Sequence, residues 1–119
     1  MSGILNTTQL QADTWKSKDD SREFYKCYAW VNFNGTGTVA IRASGNVSSI
    51  TDNNTGDYTV NFTTAMPDEN YAVCISAGGG GNIDREELGT LTSSSVRMTF
   101  TDSGVAQRDP TNVCVTTFR

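Results

Sequence analysis

The chain has 119 residues, a net charge of −4 and a pI near 4.6, and only 36% of its residues are hydrophobic. A chain of this length forms one domain with a modest core, burying roughly two thirds of its unfolded surface. The acidic balance, with no block of Lys and Arg, argues against nucleic-acid binding, since phosphate contacts need clustered cations.

Residues 1–26 read as an N-terminal arm. Ile4, Leu5 and Leu10 are sparse apolar points, and Trp15 is followed by the charged run Lys16, Lys18, Asp19, Asp20, Arg22, Glu23 and Lys26. A helical turn or two fits between Thr8 and Tyr25, although no face is cleanly apolar. Leu5, Leu10 and Trp15 are the points expected to dock the arm onto its own domain or another chain.

Residues 27–119 read as a domain of short strands. Ala29, Val31 and Phe33 alternate with Trp30 and Asn32, and Asn34-Gly35 follows. Asn-Gly is the strongest short-range hairpin signal, and it predicts a type I′ turn with positive φ at both positions. Val39, Ile41 and Ala43 form the return strand. A second hairpin runs from Val47 to Thr51, through the polar turn 52–56, into Tyr58, Val60 and Phe62 at period two. Pro67 marks a turn at 65–70. Tyr71, Val73 and Ile75 alternate with Ala72, Cys74 and Ser76. The glycine run 78–81 predicts a flexible loop that continues into Asp84-Arg85-Glu86-Glu87. Short strands follow at 88–92 and 96–101. A polar loop spans 102–112, and Val113, Val115 and Thr117 close the domain.

Seven or eight short strands, with abundant Thr, Ser, Asn and Gly, predict an all-β fold, an antiparallel β-sandwich. Several strands are apolar on both faces: Val39-Ala40-Ile41, Tyr71 to Ile75, and Val113-Cys114-Val115. A monomeric sandwich wets one face of each sheet, so a copy of the same chain is expected to cover the outer face. Tyr28 and Trp30 share the side opposite Val31 and Phe33. With Ala40, Cys74 and Cys114 they are the expected subunit-interface residues, as aromatic side chains are enriched at interfaces.

Nothing supports catalysis. There is no histidine, which removes the commonest general base and metal ligand. The three cysteines, Cys27, Cys74 and Cys114, have no CxxC spacing and read as buried thiols behaving as small apolar residues, not as a metal site. The turn Asp52-Asn53-Asn54-Thr55-Gly56-Asp57 is rich in oxygen but lacks the calcium-loop order and its terminal Glu. The glycine run is followed by no Lys-Ser or Lys-Thr, so it is not a phosphate cradle. The pairs Asp19-Asp20 and Glu86-Glu87 read as solvated charge rather than a glycosidase dyad. The Asn-x-Ser/Thr triplets at Asn6, Asn34, Asn46, Asn53 and Asn61 follow from composition. No cofactor and no membrane insertion are expected, and no leader is recognised, so a cytosol is the expected place of synthesis. Recognition usually lives on loops held by a rigid scaffold, so Asn82, Asp84 and Arg85 are the candidate partner contacts.

Four segments, AWVNFNGTGT (Ala29–Thr38), VSSITDNNTGDYTVNF (Val47–Phe62), AMPDENY (Ala65–Tyr71) and the closing VCVTTFR (Val113–Arg119), resemble a module at the C-terminal ends of tail-fibre and related virion proteins of tailed bacteriophages. The resemblance departs at 78–105. It implies a homotrimeric, jelly-roll-like β-knob on the virion, assembled in the host cytoplasm. Such a knob attaches without catalysis to a host-surface glycan or protein. Residues 1–26 would then join another virion protein. The alternative it allows is a capsid decoration protein of the same fold.

Overall fold

The computed structural model describes residues 14–79 and 82–119. Leu5 and Leu10 of the expected docking arm lie outside the described residues. The order of elements is β1 (Trp15–Lys16), β2 (Glu23–Phe24), β3 (Cys27–Asn34), β4 (Ala40–Gly45), β5 (Val47–Asn54), β6 (Asp57–Phe62), β7 (Ala72–Gly78), β8 (Arg85–Leu91), β9 (Ser95–Thr101) and β10 (Asn112–Phe118). Among the described residues there is no helix. Strands β3 to β10 form two four-stranded antiparallel sheets, ordered β4-β3-β10-β7 and β5-β6-β9-β8. The expected antiparallel sandwich is what the chain forms.

The alternation read in the sequence decides which side chains meet between the sheets. The two central strands of each sheet supply the core: Ala29, Val31 and Phe33 from β3, Val113 and Val115 from β10, Tyr58, Val60 and Phe62 from β6, and Val96, Met98 and Phe100 from β9. Burying a side chain of this kind stabilises the fold by about 1.5–3 kcal/mol. The edge strands contribute partly buried residues such as Ile50, Val73 and Ile75. Tyr58 sits between Phe33 and Phe100, at ring separations of 5.4 and 6.0 Å. Phe62 meets Tyr71 edge-on at 5.8 Å.

Four sequence expectations are corrected. The stretch 14–25 holds no helical turn. Trp15 pairs with Phe24 and Lys16 with Glu23 in a small hairpin. Its turn is closed by Ser21 at φ 57° and by the Ser17 amide donating to the Arg22 carbonyl. A charged stretch without an apolar stripe has nothing to hold a helix against.

The second correction concerns the Asn34-Gly35 turn, which is not type I′. Positive φ occurs at Gly37 instead, and the Asn34 carboxamide oxygen accepts from the Thr36 amide and hydroxyl at 3.0 and 2.7 Å. Gly35 is required for space. A Cβ there would lie 2.7 Å from the Tyr58 hydroxyl and 2.8 Å from the Pro110 carbonyl oxygen. Third, the 52–56 turn is shorter than expected. β5 runs on to Asn54, because the Asn53 side chain donates to Asp57 and Thr59 across the hairpin. Fourth, all three cysteines are exposed in the chain. Cys74 and Cys114 fall on the outward phase of β7 and β10, and Cys27 opens β3.

The sandwich has two unlike ends. The connections 35–39, 55–56 and 102–111 gather at one end, with the end of β7 and the start of β8. The β1–β2 hairpin, the 63–71 turn and Phe118-Arg119 lie at the other. The loop end is tied by one buried hydroxyl. Tyr58 Oη donates to the Gly35 carbonyl (2.8 Å) or the Asp109 carboxylate (2.6 Å), and the same carboxylate oxygen accepts from the Gly56 amide at 2.7 Å. Gly35 N–H donates to the Pro110 carbonyl. Burial, then Asp109, pushes the Tyr58 phenol well above its ordinary value, so it remains a donor. Tyr58→Phe keeps the ring contacts and orphans these acceptors. The expected cost is about 1–3 kcal/mol, read as a lower urea midpoint with unchanged slope; a midpoint within error of the native protein would contradict the role.

Candidate functional site

The outward faces of the two sheets differ in chemistry. On the β4-β3-β10-β7 sheet, Trp30 lies across from Gly45 on one side and Thr116 on the other, and Thr116 lies across from Cys74. In the next row Asn32 lies between Ala43 and Cys114, and Cys114 lies across from Ser76. Tyr28, Trp30, Ala43, Cys74, Cys114 and Phe118 are exposed there. Four of the five expected interface residues, Tyr28, Trp30, Cys74 and Cys114, therefore share one face. Ala40, the fifth, is also exposed and lies across from Asn34 at the loop end of the same face.

Trp30 is fixed by a close approach. A Cβ on Gly45 would fall 2.4 Å from the indole Nε1, so the ring lies over bare backbone. This is the cross-strand aromatic–glycine pairing that protects a sheet edge.

The outward face of the β5-β6-β9-β8 sheet is polar and internally bonded. Asn61 donates to Ser49 and Thr51 at 3.1 and 2.9 Å. Arg97 grips Asp57 through both carboxylate oxygens, with Nε–Oδ1 2.8 Å and Nη2–Oδ2 2.5 Å. The guanidinium holds the Asp57 carboxyl below its ordinary value, against the opposing effect of burial. The oxygen-rich turn thus spends its best-placed carboxylate on an arginine.

At the loop end, Asn82, Asp84 and Arg85 are all exposed. Arg85 opens β8 rather than sitting in a loop, and the Asp84 amide donates to the Thr101 carbonyl. Gly80 and Gly81 of the glycine run lie outside the described residues. The neighbouring connection is folded around Asp102, which accepts from the Gly104 and Ala106 amides and from Arg108. Its crest is Val105, a β-branched residue at φ 61° with 67% of its surface exposed. Strain of this kind collects at functional positions, and no sequence pattern marks it.

At the opposite end the hairpin and the sandwich enclose an open cleft. Its aromatic walls are Trp15, Phe24, Tyr25 and Tyr28. Thr14, Glu23, Lys26 and Arg119 complete it. The Lys26 ammonium lies 5.9 Å from the centre of the Trp15 ring. Asp68 takes Nε and Nη2 of Arg119 at 3.0 and 2.8 Å, which lowers the Asp68 carboxyl to about 2. Trp15, expected as a docking point of the arm, is thus part of a cleft. The aromatic density of Phe24, Tyr25, Tyr28 and Trp30 was the available signal for it.

No family model matches the chain, and no curated protein matches it. Among solved structures, the chain is similar to part of the phiAB6 tailspike, crystallised with oligosaccharides of Acinetobacter baumannii surface polysaccharide. The likeness has a TM-score of 0.57 at 9% identity and covers 98% of this chain. The chain spans 30% of the tailspike's length. At that identity the two share a fold.

Two outcomes follow. Gly45→Ala forces the Trp30 ring off the sheet, at a cost of about 1–3 kcal/mol, with a change in tryptophan emission; an unchanged spectrum and stability would refute the contact. Asp57 has a lowered folded pKa, so its contribution is complete above the unfolded carboxylate value of about 3.9 and is lost as pH falls through the lowered one. Asp57→Asn is expected to cost about 1 kcal/mol at pH 7 and to flatten part of the acid limb of stability against pH. Parallel native and variant profiles between pH 7 and pH 2 would exclude that contribution.

Proposed function

We propose that the chain is a virion surface module of a tailed bacteriophage, a tail-fibre or short-fibre knob. In this reading it works as a homotrimer and attaches to the host envelope without catalysis. The observation that carries the proposal is the sandwich itself, which is similar over nearly its whole length to part of a phage tailspike, together with the four tail-fibre-like segments within it. The tailspike's bound oligosaccharides suggest a host-surface glycan as the kind of receptor.

The placement of elements supports the same reading. The arm enters at one end of the sandwich and Asn82, Asp84, Arg85 and Val105 stand at the other. A virion partner would take hold of the arm ahead of the β1–β2 hairpin, which leaves that hairpin and the 27–119 domain with its loops open to the host. Small and aromatic side chains on the outward face of the β4-β3-β10-β7 sheet suit contact with like copies, and the polar outward face of the other sheet suits water. Three copies raise weak single-site affinity through simultaneous binding to a repetitive surface. Asp57, Asp68 and Asp102 each hold an arginine, which makes these three poor general acids and favours attachment over catalysis.

Fluorescently labelled protein is expected to stain host cells, to compete with infection, and to release no oligosaccharide from the envelope. A stained gel of purified virions is expected to show a few dozen copies at most. Hundreds of copies and no cell staining would instead assign the chain to capsid decoration.

A further inference from the structure

We propose that the cleft between the β1–β2 hairpin and the sandwich binds a sugar ring of a surface glycan, with Tyr25 and Phe24 as the stacking faces. The source of the sugar rests on the attachment reading above; the site rests on its own geometry. Tyr25 and Phe24 are 73% and 56% exposed, and they stand beside Trp15 and Tyr28 around one cleft. Its volume is about 110 Å³, smaller than the enclosed sites of drug-sized ligands and suited to a single ring laid against an open face. Flat aromatic faces offered to solvent bind flat or ring-shaped partners with little loss of side-chain freedom.

The polar groups decide between a sugar and a protein partner. Glu23 and Lys26 line the same cleft, and neither enters any of the ion pairs formed among the described residues. A protein surface closing over them would have to bring a counter-charge to each or bury it unpaired, a costly arrangement. Sugar hydroxyls donate to the Glu23 carboxylate and accept from the Lys26 ammonium, so both stay hydrogen-bonded. Lys26 already covers part of the Trp15 ring, which leaves Tyr25 and Phe24 as the open faces. Arg119, held in place by Asp68 through Nε and Nη2, keeps Nη1 for a third partner. The loop end lacks this combination. Asn82, Asp84 and Arg85 supply hydrogen bonds, but the exposed large apolar residue beside them is Val105, which has no stacking face.

The test is an array of bacterial surface polysaccharides read with the labelled full-length protein, followed by titration of the best-bound oligosaccharide. Tyr25→Ala and Phe24→Ala are each expected to weaken binding about tenfold, the size of one base-like stacking contact. Tyr25→Phe should retain it, and the Asn82→Ala/Arg85→Ala double variant should bind as the native chain does. Both aromatic residues are exposed, so folding is expected to survive, and sedimentation mass is measured alongside. Native affinity in the Tyr25 and Phe24 variants overturns the proposal. So does a loss of binding that accompanies a fall in mass, which would make the cleft a contact between copies. Cell staining with no polysaccharide bound overturns the cleft and leaves the attachment reading standing; absence of both overturns the two together.

Discussion

One hydroxyl organises the loop end of this molecule. Tyr58 Oη lies within hydrogen-bonding distance of a turn of the first sheet and the long connection between β9 and β10. Its ring fills the space between Phe33 and Phe100. Through Asp109 it also secures the tight turn of its own hairpin. Three connections far apart in sequence are therefore set by one buried side chain. Gly35 follows from it, because the Tyr58 hydroxyl occupies the volume of any larger residue there. With this end fixed, both sheets hold their register and the exposed loops stand on a stiff base.

A rigid sandwich leaves four surfaces on which function can rest: two sheet faces and two ends. Their chemistry separates them. The face with Asn61, Thr59 and the Arg97–Asp57 pair satisfies itself with internal hydrogen bonds and asks for no partner. The face with Trp30, Cys74 and Cys114 offers small and aromatic groups without charges of its own beyond Arg42, which is engaged by Asn32 and the Thr111 carbonyl. A face of small and aromatic groups whose one charge is already engaged is well suited to like copies. The two ends divide similarly, one into polar loops with a strained valine and the other into an aromatic cleft.

Much of this was legible in the residues. Period-two alternation identified β3, β6, β9 and β10 with their inward phase, because burial on one side of a pleat leaves a plain signature; β8 starts at Arg85, inside the stretch read as a loop, and a bulge in the β3–β4 pairing turns Ala43 outward, off the phase of Ile41. The same phase placed Tyr28, Trp30, Cys74 and Cys114 outward together. What escaped was set by tertiary contact. Asn34-Gly35 carries the composition of a type I′ turn, yet its glycine serves clearance from Tyr58. The cysteines match buried thiols in type but not in phase. The β1–β2 hairpin has two-residue strands, too short for alternation to register, and its cleft exists only where it meets Tyr28 and Arg119. Asp109 looks like an ordinary loop acid until the fold brings it to Tyr58.

The central claim is that like copies cover the outward face of the β4-β3-β10-β7 sheet. Sedimentation equilibrium of the purified protein at micromolar concentration tests it most directly. The account predicts the mass of three 12.9 kDa chains, falling to one chain in Cys114→Lys with the sandwich still folded by circular dichroism. A single-chain mass for the native protein would contradict it.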